Sequence, residues 1–240
     1  MIKLTDIQIN VGTRTLIQTQ GGIILPDGSL TALIGRNGAG KSTLMKAIAG
    51  LGPFAGVIEV DGHRPDARSL AFVGTDRTRV PRMTCFDVVA MARAPYTRWD
   101  GHLREADRII VARALTRVGM EDYAGRTMDT MSDGECQRVL VARALAQDTS
   151  NILLDEPTSF LDYPSRAELC ALLAELAHAG RCVLFSTHEV ETALRFADNV
   201  LLLDHRERSL RLLPAPDAPQ EIGSVFGMSL KGQEDYFLLH

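Results

Sequence analysis

The sequence predicts an α/β fold, a parallel-rich sheet flanked by helices, and two observations carry that prediction. Residues 30–34, 152–154, 183–186 and 200–203 are short continuous apolar runs, each ended by a polar residue or glycine. This is the pattern of parallel strands buried on both faces. Between such runs the apolar residues recur at helical spacing, and strand alternating with helix makes a βαβ core.

Taken in order, the strand at 30–34 is followed by a glycine-rich turn and a helical stretch over 41–49, and residues 70–74 form another strand. Val111, Ala114, Leu115 and Val118 mark a helix. So do Leu169, Leu172, Leu173 and Leu176, stopped by Gly180, and Val190, Ala193, Leu194 and Ala197 after Glu189. The middle reads differently: 77–130 holds two helical stretches, an arginine-rich loop (Arg77, Arg79, Arg82) and no strand pattern. One domain is therefore expected, with a core over 1–76 and 131–204, a helical subdomain inserted at 77–130, and an appendage over 205–240. There Pro214, Pro216 and Pro219 crowd together and the periodicity fades.

Composition narrows the function. The chain has 240 residues, 45% hydrophobic and 23% charged, enough for a packed core, which excludes disordered and collagen-like chains. A formal net charge of −4 argues against nucleic acid as a partner, because neutralising phosphates takes a basic face. Cys85, Cys136, Cys170 and Cys182 lack C-x-x-C spacing and read as reduced core residues. No window reaches the roughly 18 apolar residues of a membrane span, and no signal-peptide pattern opens the chain. The expected place is the cytoplasm.

Chemistry concentrates at Gly35-Arg36-Asn37-Gly38-Ala39-Gly40-Lys41-Ser42, which fits G-x-x-x-x-G-K-[ST] between a strand and a helix. Glycines let backbone N–H groups turn inward around phosphates, and the helix N-terminus adds a favourable dipole. Gly35, Asn37, Gly38, Gly40, Lys41, Ser42 and Thr43 are the expected nucleotide-binding residues. Lys41 reaches the β and γ phosphates and Ser42 offers its hydroxyl to Mg²⁺. The strand at 152–154 ends in Asp155-Glu156, two carboxylates at the C-terminal edge where open α/β sheets bind ligands. Asp155 is the second candidate Mg²⁺ ligand, and Glu156 the base for an attacking water. The core is thus that of a P-loop NTPase, with ATP and Mg²⁺ as its expected ligands.

Met131-Ser132-Asp133-Gly134-Glu135-Cys136-Gln137-Arg138 precedes that acidic strand and resembles the L-S-G-G-Q signature of the ATP-binding cassette ATPases. Read directly, Ser132 and Glu135 have capping-box spacing, so a helix with free N–H groups begins there. The resemblance extends over roughly residues 4–203. Ser159-Phe160-Leu161-Asp162 looks like the family's D-loop, and Ser186-Thr187-His188 like its switch histidine. It implies an N-terminal antiparallel β portion and a head-to-tail dimer. In that dimer Ser132 and Gly134 of one copy complete the γ-phosphate site of the other, while His188, with Lys41 and Glu156, serves catalysis.

Three positions depart from the family's pattern. Val11 stands where an aromatic commonly stacks on adenine. Stacking is worth about 1–3 kcal/mol, so adenine is expected to bind about 5 to 150 times more weakly unless another group, such as Arg14, lies against the ring. Thr75 stands in place of a glutamine that senses Mg²⁺ and water, and Asp133 replaces a signature glycine.

In the insert, residues 83–89, then Met91-Ala92-Arg93-Ala94-Pro95-Tyr96 with Trp99 and Gly101, resemble importers of iron siderophores, haem and cobalamin. That resemblance implies an ATPase coupled to transmembrane permease subunits, served indirectly by a substrate-binding protein, and peripheral at the cytoplasmic face of the bacterial inner membrane. Two alternatives stay open: a soluble cassette ATPase of iron–sulfur cluster assembly, and a nucleotide-gated subunit with little turnover.

Overall fold

The computed structural model describes residues 1–75, 82–97, 99 and 101–227. Arg77, Arg79 and the last 13 residues of the expected appendage lie outside them. In chain order the elements are β1 (Ile2–Val11), β2 (Arg14–Gln18), β3 (Gly22–Leu25), β4 (Ser29–Gly35), α1 (Lys41–Ile48), β5 (Ala55–Val60) and β6 (Leu70–Val73). Then follow α2 (Cys85–Ala90), α3 (Glu105–Arg117), α4 (Asp133–Ala146), β7 (Asn151–Leu154), α5 (Tyr163–His178) and β8 (Cys182–Thr187). The chain continues with α6 (Val190–Phe196), β9 (Asn199–Asp204), β10 (Ser209–Pro214) and α7 (Ala218–Phe226).

Two sheets form. β1 pairs antiparallel with β2, β3 and β5, which is the N-terminal antiparallel portion. The second sheet runs β10-β9-β4-β8-β7-β6, parallel except for the β10–β9 pair. β4, β7 and β8 are buried at every position, as continuous apolar runs require. The alternation of side chains along these strands divides the core in two. Leu30, Ala32, Ile34, Ile152, Leu154, Val183 and Phe185 face a layer containing α2 to α7. Leu33, Leu153, Leu184, Leu201 and Leu203 face Leu44, Met45 and Ile48 of α1 and the apolar side of β1. Helix α1 is therefore held between the two sheets.

Helix starts follow local chemistry. Thr84 and Asp87 form a capping box at α2, Ser132 and Glu135 another at α4, and the Asp162 carboxylate accepts from Ser165 N at 3.0 Å at α5. Helices α2, α3 and α4 pack together, and α4 also touches β6, so α4 joins the helical insert to the sheet.

The segment after His205, expected as an appendage, continues the core over 209–227. β10 extends the sheet along β9, and Ile222 and Val225 of α7 are buried in the helix-side core. The prolines that suggested a break sit where a missing N–H costs little: Pro214 ends an edge strand, and Pro216 and Pro219 lie in first helical turns. All four cysteines are buried and none is in a disulfide. Among the described residues, no helix is long and apolar enough to cross a membrane.

Candidate nucleotide-binding site

Strand order builds the site. β4 ends in the glycine-rich loop, β7 in Asp155-Glu156, and β8 lies between them, ending in Ser186-Thr187-His188. All three open at the C-terminal edge of the parallel strands. They meet at a cleft of about 680 Å³ lined by Asn37, Gly38, Gly40, Lys41, Ser42 and Thr43 on one side and Glu156 and His188 on another. The turn joining β1 to β2 supplies Val11, Arg14 and Leu16.

The loop is shaped for an anion. Gly38 and Gly40 take positive φ, 75° and 111°, conformations that glycine adopts without strain. Gly40 caps α1 with no side-chain hydrogen bond and no acidic residue follows in the first turn, so the helix presents its N–H groups to the cleft. A Cβ on Gly35 would stand 3.0 Å from Leu203 O, so β9 holds the loop's entry tightly. Lys41 is 6% exposed, and its Nζ donates to Gly35 O at 2.9 Å. Burial pushes its ammonium below the ordinary lysine value, against the opposing pull of Glu156 and Asp155.

The carboxylates are organised by a residue to which the sequence assigned no role. Ser186, fully buried, donates its hydroxyl to Asp155 Oδ1 at 2.6 Å and accepts from Glu156 N at 2.8 Å. Asp155 N donates to Val73 O at 2.8 Å, locking the strand end to β6. Asp155 is 1% exposed, and its other oxygen, Oδ2, is buried without a hydrogen-bond partner among the described residues. An orphaned carboxylate oxygen is costly unless a cation meets it, and an all-oxygen set with the Ser42 hydroxyl and phosphates suits Mg²⁺. Glu156 has φ of 51°, a strained value for a non-glycine residue and one often held at functional positions. Its carboxylate accepts from Ser159 Oγ at 3.3 Å, while His188 Nδ1 stands 4.0 Å away, too far for a hydrogen bond.

Other expected residues lie apart from this cleft. Ser132 and Gly134 do not line it. Ser132 N and Oγ donate to the Glu135 carboxylate at 2.7 and 2.9 Å, holding that carboxyl below its ordinary range. Gly134 rests on the D-loop, where a Cβ would meet Leu161 Cδ2 at 3.2 Å. Thr75 is exposed just beyond β6 and does not line the cleft either. In the insert, Arg93 is buried: its Nε donates to Asp107 at 2.9 Å, its Nη1 to Ala146 O at 3.0 Å, and it lies 4.1 Å from the Tyr96 ring centre. Arg68 Nη2 donates to Pro95 O at 2.8 Å. Pro95 and Tyr96 are thus tied to their own surroundings, whereas Trp99 is 99% exposed.

Comparison with known proteins agrees with this geometry. The ABC transporter family model matches residues 22–159. An uncharacterised ABC transporter ATP-binding protein of Methanocaldococcus jannaschii is 38% identical over 86% of this chain and 74% of its own length. The achromobactin transport ATP-binding protein of Dickeya dadantii is 35% identical over 99% of this chain and 92% of its own. Among solved structures, an inward-facing transporter described as of metal-chelate type superposes with a TM-score of 0.82 at 26% identity, covering 94% of this chain and 88% of that one. On sequence, fold and site together, this chain belongs to the ABC transporter family.

Proposed function

We propose that the chain is the ATP-hydrolysing, nucleotide-binding subunit that energises a membrane importer of iron-siderophore, haem or cobalamin type. The observation that carries the reading is the convergence, through Ser186, of a buried Asp155 with one unpartnered oxygen and a base-competent Glu156 upon the loop that holds Lys41. The cargo class rests on relatives such as the achromobactin protein and a hemin import ATP-binding protein of Nocardia farcinica, 40% identical over 74% of this chain and 64% of its own length.

In this reading the N–H groups of the loop and of α1 bind the phosphates, with Asn37, Gly38, Gly40 and Thr43 shaping the cradle and Gly35 fixing its entry. Lys41 places its charge on the β and γ phosphates. Ser42 and Asp155 are the residues that would hold Mg²⁺, which when bound supplies neutralisation of the charge on the phosphate oxygens. Glu156 accepts a proton from the attacking water, and His188 closes the 4.0 Å gap to Glu156 when the site tightens around nucleotide. Ser132 and Gly134, remote from their own cleft, complete the γ-phosphate site of a second copy in a head-to-tail dimer. The exposed Trp99 and Met91 suit contact with permease subunits, which would place the chain at the cytoplasmic face of the bacterial inner membrane.

A siderophore-type permease in nanodiscs is expected to retain this chain and to raise its Mg²⁺-dependent ATP hydrolysis. Permeases that neither retain the chain nor alter its turnover would move the assignment to a soluble cassette.

A further inference from the structure

We infer that the base end of this nucleotide site reads a guanine-type edge through Arg14, so that the chain takes GTP at least as well as ATP. The inference rests on the nucleotide-binding reading above and concerns only its base specificity.

The position of the base follows from the strand that borders the cleft. Leu16 lies against the phosphate loop, since a Cβ on Gly40 would stand 3.3 Å from its Cδ1. Arg14 is two residues earlier on β2, across the bulge that leaves Leu16 unpaired, and lines the same cleft as Leu16, nearer the β1–β2 turn. Val11 is its direct cross-strand partner, across the two-residue turn Gly12-Thr13. Cross-strand partners stand side by side with Cβ atoms about 5 Å apart. A nucleoside leaving the phosphate cradle therefore runs over Leu16 and reaches Val11 and Arg14 with its base. Val11, 55% exposed, offers a small apolar surface on which a ring can lie. Its neighbour Arg14 then meets the edge of that ring.

Hydrogen-bond chemistry decides which edge suits it. Among the described residues no Phe, Tyr or Trp lines the cleft, and its one aromatic ring, His188, stands beside Glu156 at the phosphate end, so stacking on a side-chain π-face does not set the affinity of the base. Arg14 is exposed, and its guanidinium makes no hydrogen bond or ion pair to any described residue. Guanidinium carries five donors and no acceptor. Guanine presents two adjacent acceptors, O6 and N7, and takes a bidentate pair from arginine. Adenine presents one acceptor, N7, beside an N6 donor that the guanidinium cannot satisfy. Arg14, the charged side chain that the β1–β2 turn brings to the cleft, thus fits a 6-oxo purine and half-fits a 6-amino purine.

The test is calorimetric binding of GTP, ITP and ATP to the full chain carrying Glu156→Gln, so that hydrolysis does not interfere, with and without Arg14→Met. ITP shares O6 and N7 with GTP but lacks the 2-amino group. The expected result is that GTP and ITP bind as tightly as ATP or more tightly. Arg14→Met then weakens both by about 5- to 150-fold, the worth of one bidentate pair, and weakens ATP by far less. Equal weakening of all three would place Arg14 on phosphate, ribose or ring face and overturn the inference while leaving the nucleotide site intact. ATP binding well above both oxo purines in the parent chain would overturn it too. Failure of the parent to bind any of the three would overturn the nucleotide-binding reading itself, and this inference with it.

Discussion

Replacing Ser186 by alanine should damage stability and metal handling together, because one hydroxyl serves both acidic residues. It donates to Asp155 Oδ1 at 2.6 Å and accepts from Glu156 N at 2.8 Å, in surroundings where Ser186 is fully buried and Asp155 is 1% exposed. A hydrogen bond to a charged group is worth about 1.5–3 kcal/mol, and a buried N–H left unpaired costs about 1–3 kcal/mol. The sum is a fall in unfolding free energy of about 2.5–6 kcal/mol, readable as a lower denaturant midpoint at unchanged slope. Loss of a group that orients a metal ligand costs about 10- to 100-fold in metal affinity or activity. The Mg²⁺ concentration for half-maximal ATP hydrolysis should therefore rise by that factor in the fraction that folds. A Ser186→Ala chain with the parent's midpoint and the parent's Mg²⁺ dependence would refute the assignment of Ser186 as the organiser of the acidic pair.

Two further outcomes follow from buried contacts. Arg93 holds the Asp107 carboxyl below its ordinary range, first through their 2.9 Å hydrogen bond. The folded-state value lies below the unfolded one of about 4, so the pair's stabilisation is fully present above that pH and is lost as pH falls through the folded value. Asp107→Asn should destabilise the chain at neutral pH by about 3–5 kcal/mol and flatten the acid limb of stability against pH, measured by urea unfolding from pH 7 downwards. Gly35→Ala would press a Cβ to 3.0 Å from Leu203 O and 3.1 Å from Leu203 Cβ on β9, a strand paired on both sides. A loss of about 1–3 kcal/mol in thermal or chemical unfolding is expected, with weaker nucleotide binding as the loop shifts.

Much of the molecule was legible because its signals are local in sequence. The four apolar runs became β4, β7, β8 and β9, and the helical spacings became α3, α5 and α6, since two-faced burial and a 3.6-residue period leave direct marks on residue order. The phosphate loop and Asp155-Glu156 were legible for the same reason. The role of Ser186 was not: it depends on β8 standing between β4 and β7, in a register that sets Ser186 beside Leu33 and just past the Leu154–Phe185 pair. Strand order is a property of the folded chain alone. Arg93 stood out only within the Met91–Tyr96 resemblance, and its buried pairing was not legible, because its carboxylate partner lies 14 residues away on α3. The prolines near 214–219 obscured β10 and α7, whose evidence is the apolar surface they cover, Ile222 and Val225 included.

The measurement closest to the central claim is Mg²⁺-dependent ATP hydrolysis by the purified chain and by its Glu156→Gln form under single-turnover conditions, with nucleotide binding followed in parallel. A positioned general base contributes about 10²- to 10⁴-fold. The variant should therefore bind ATP like the parent and hydrolyse it slower by that factor. Equal rates from the two proteins, at equal occupancy, would contradict the assignment of Glu156 as the base of this ATPase.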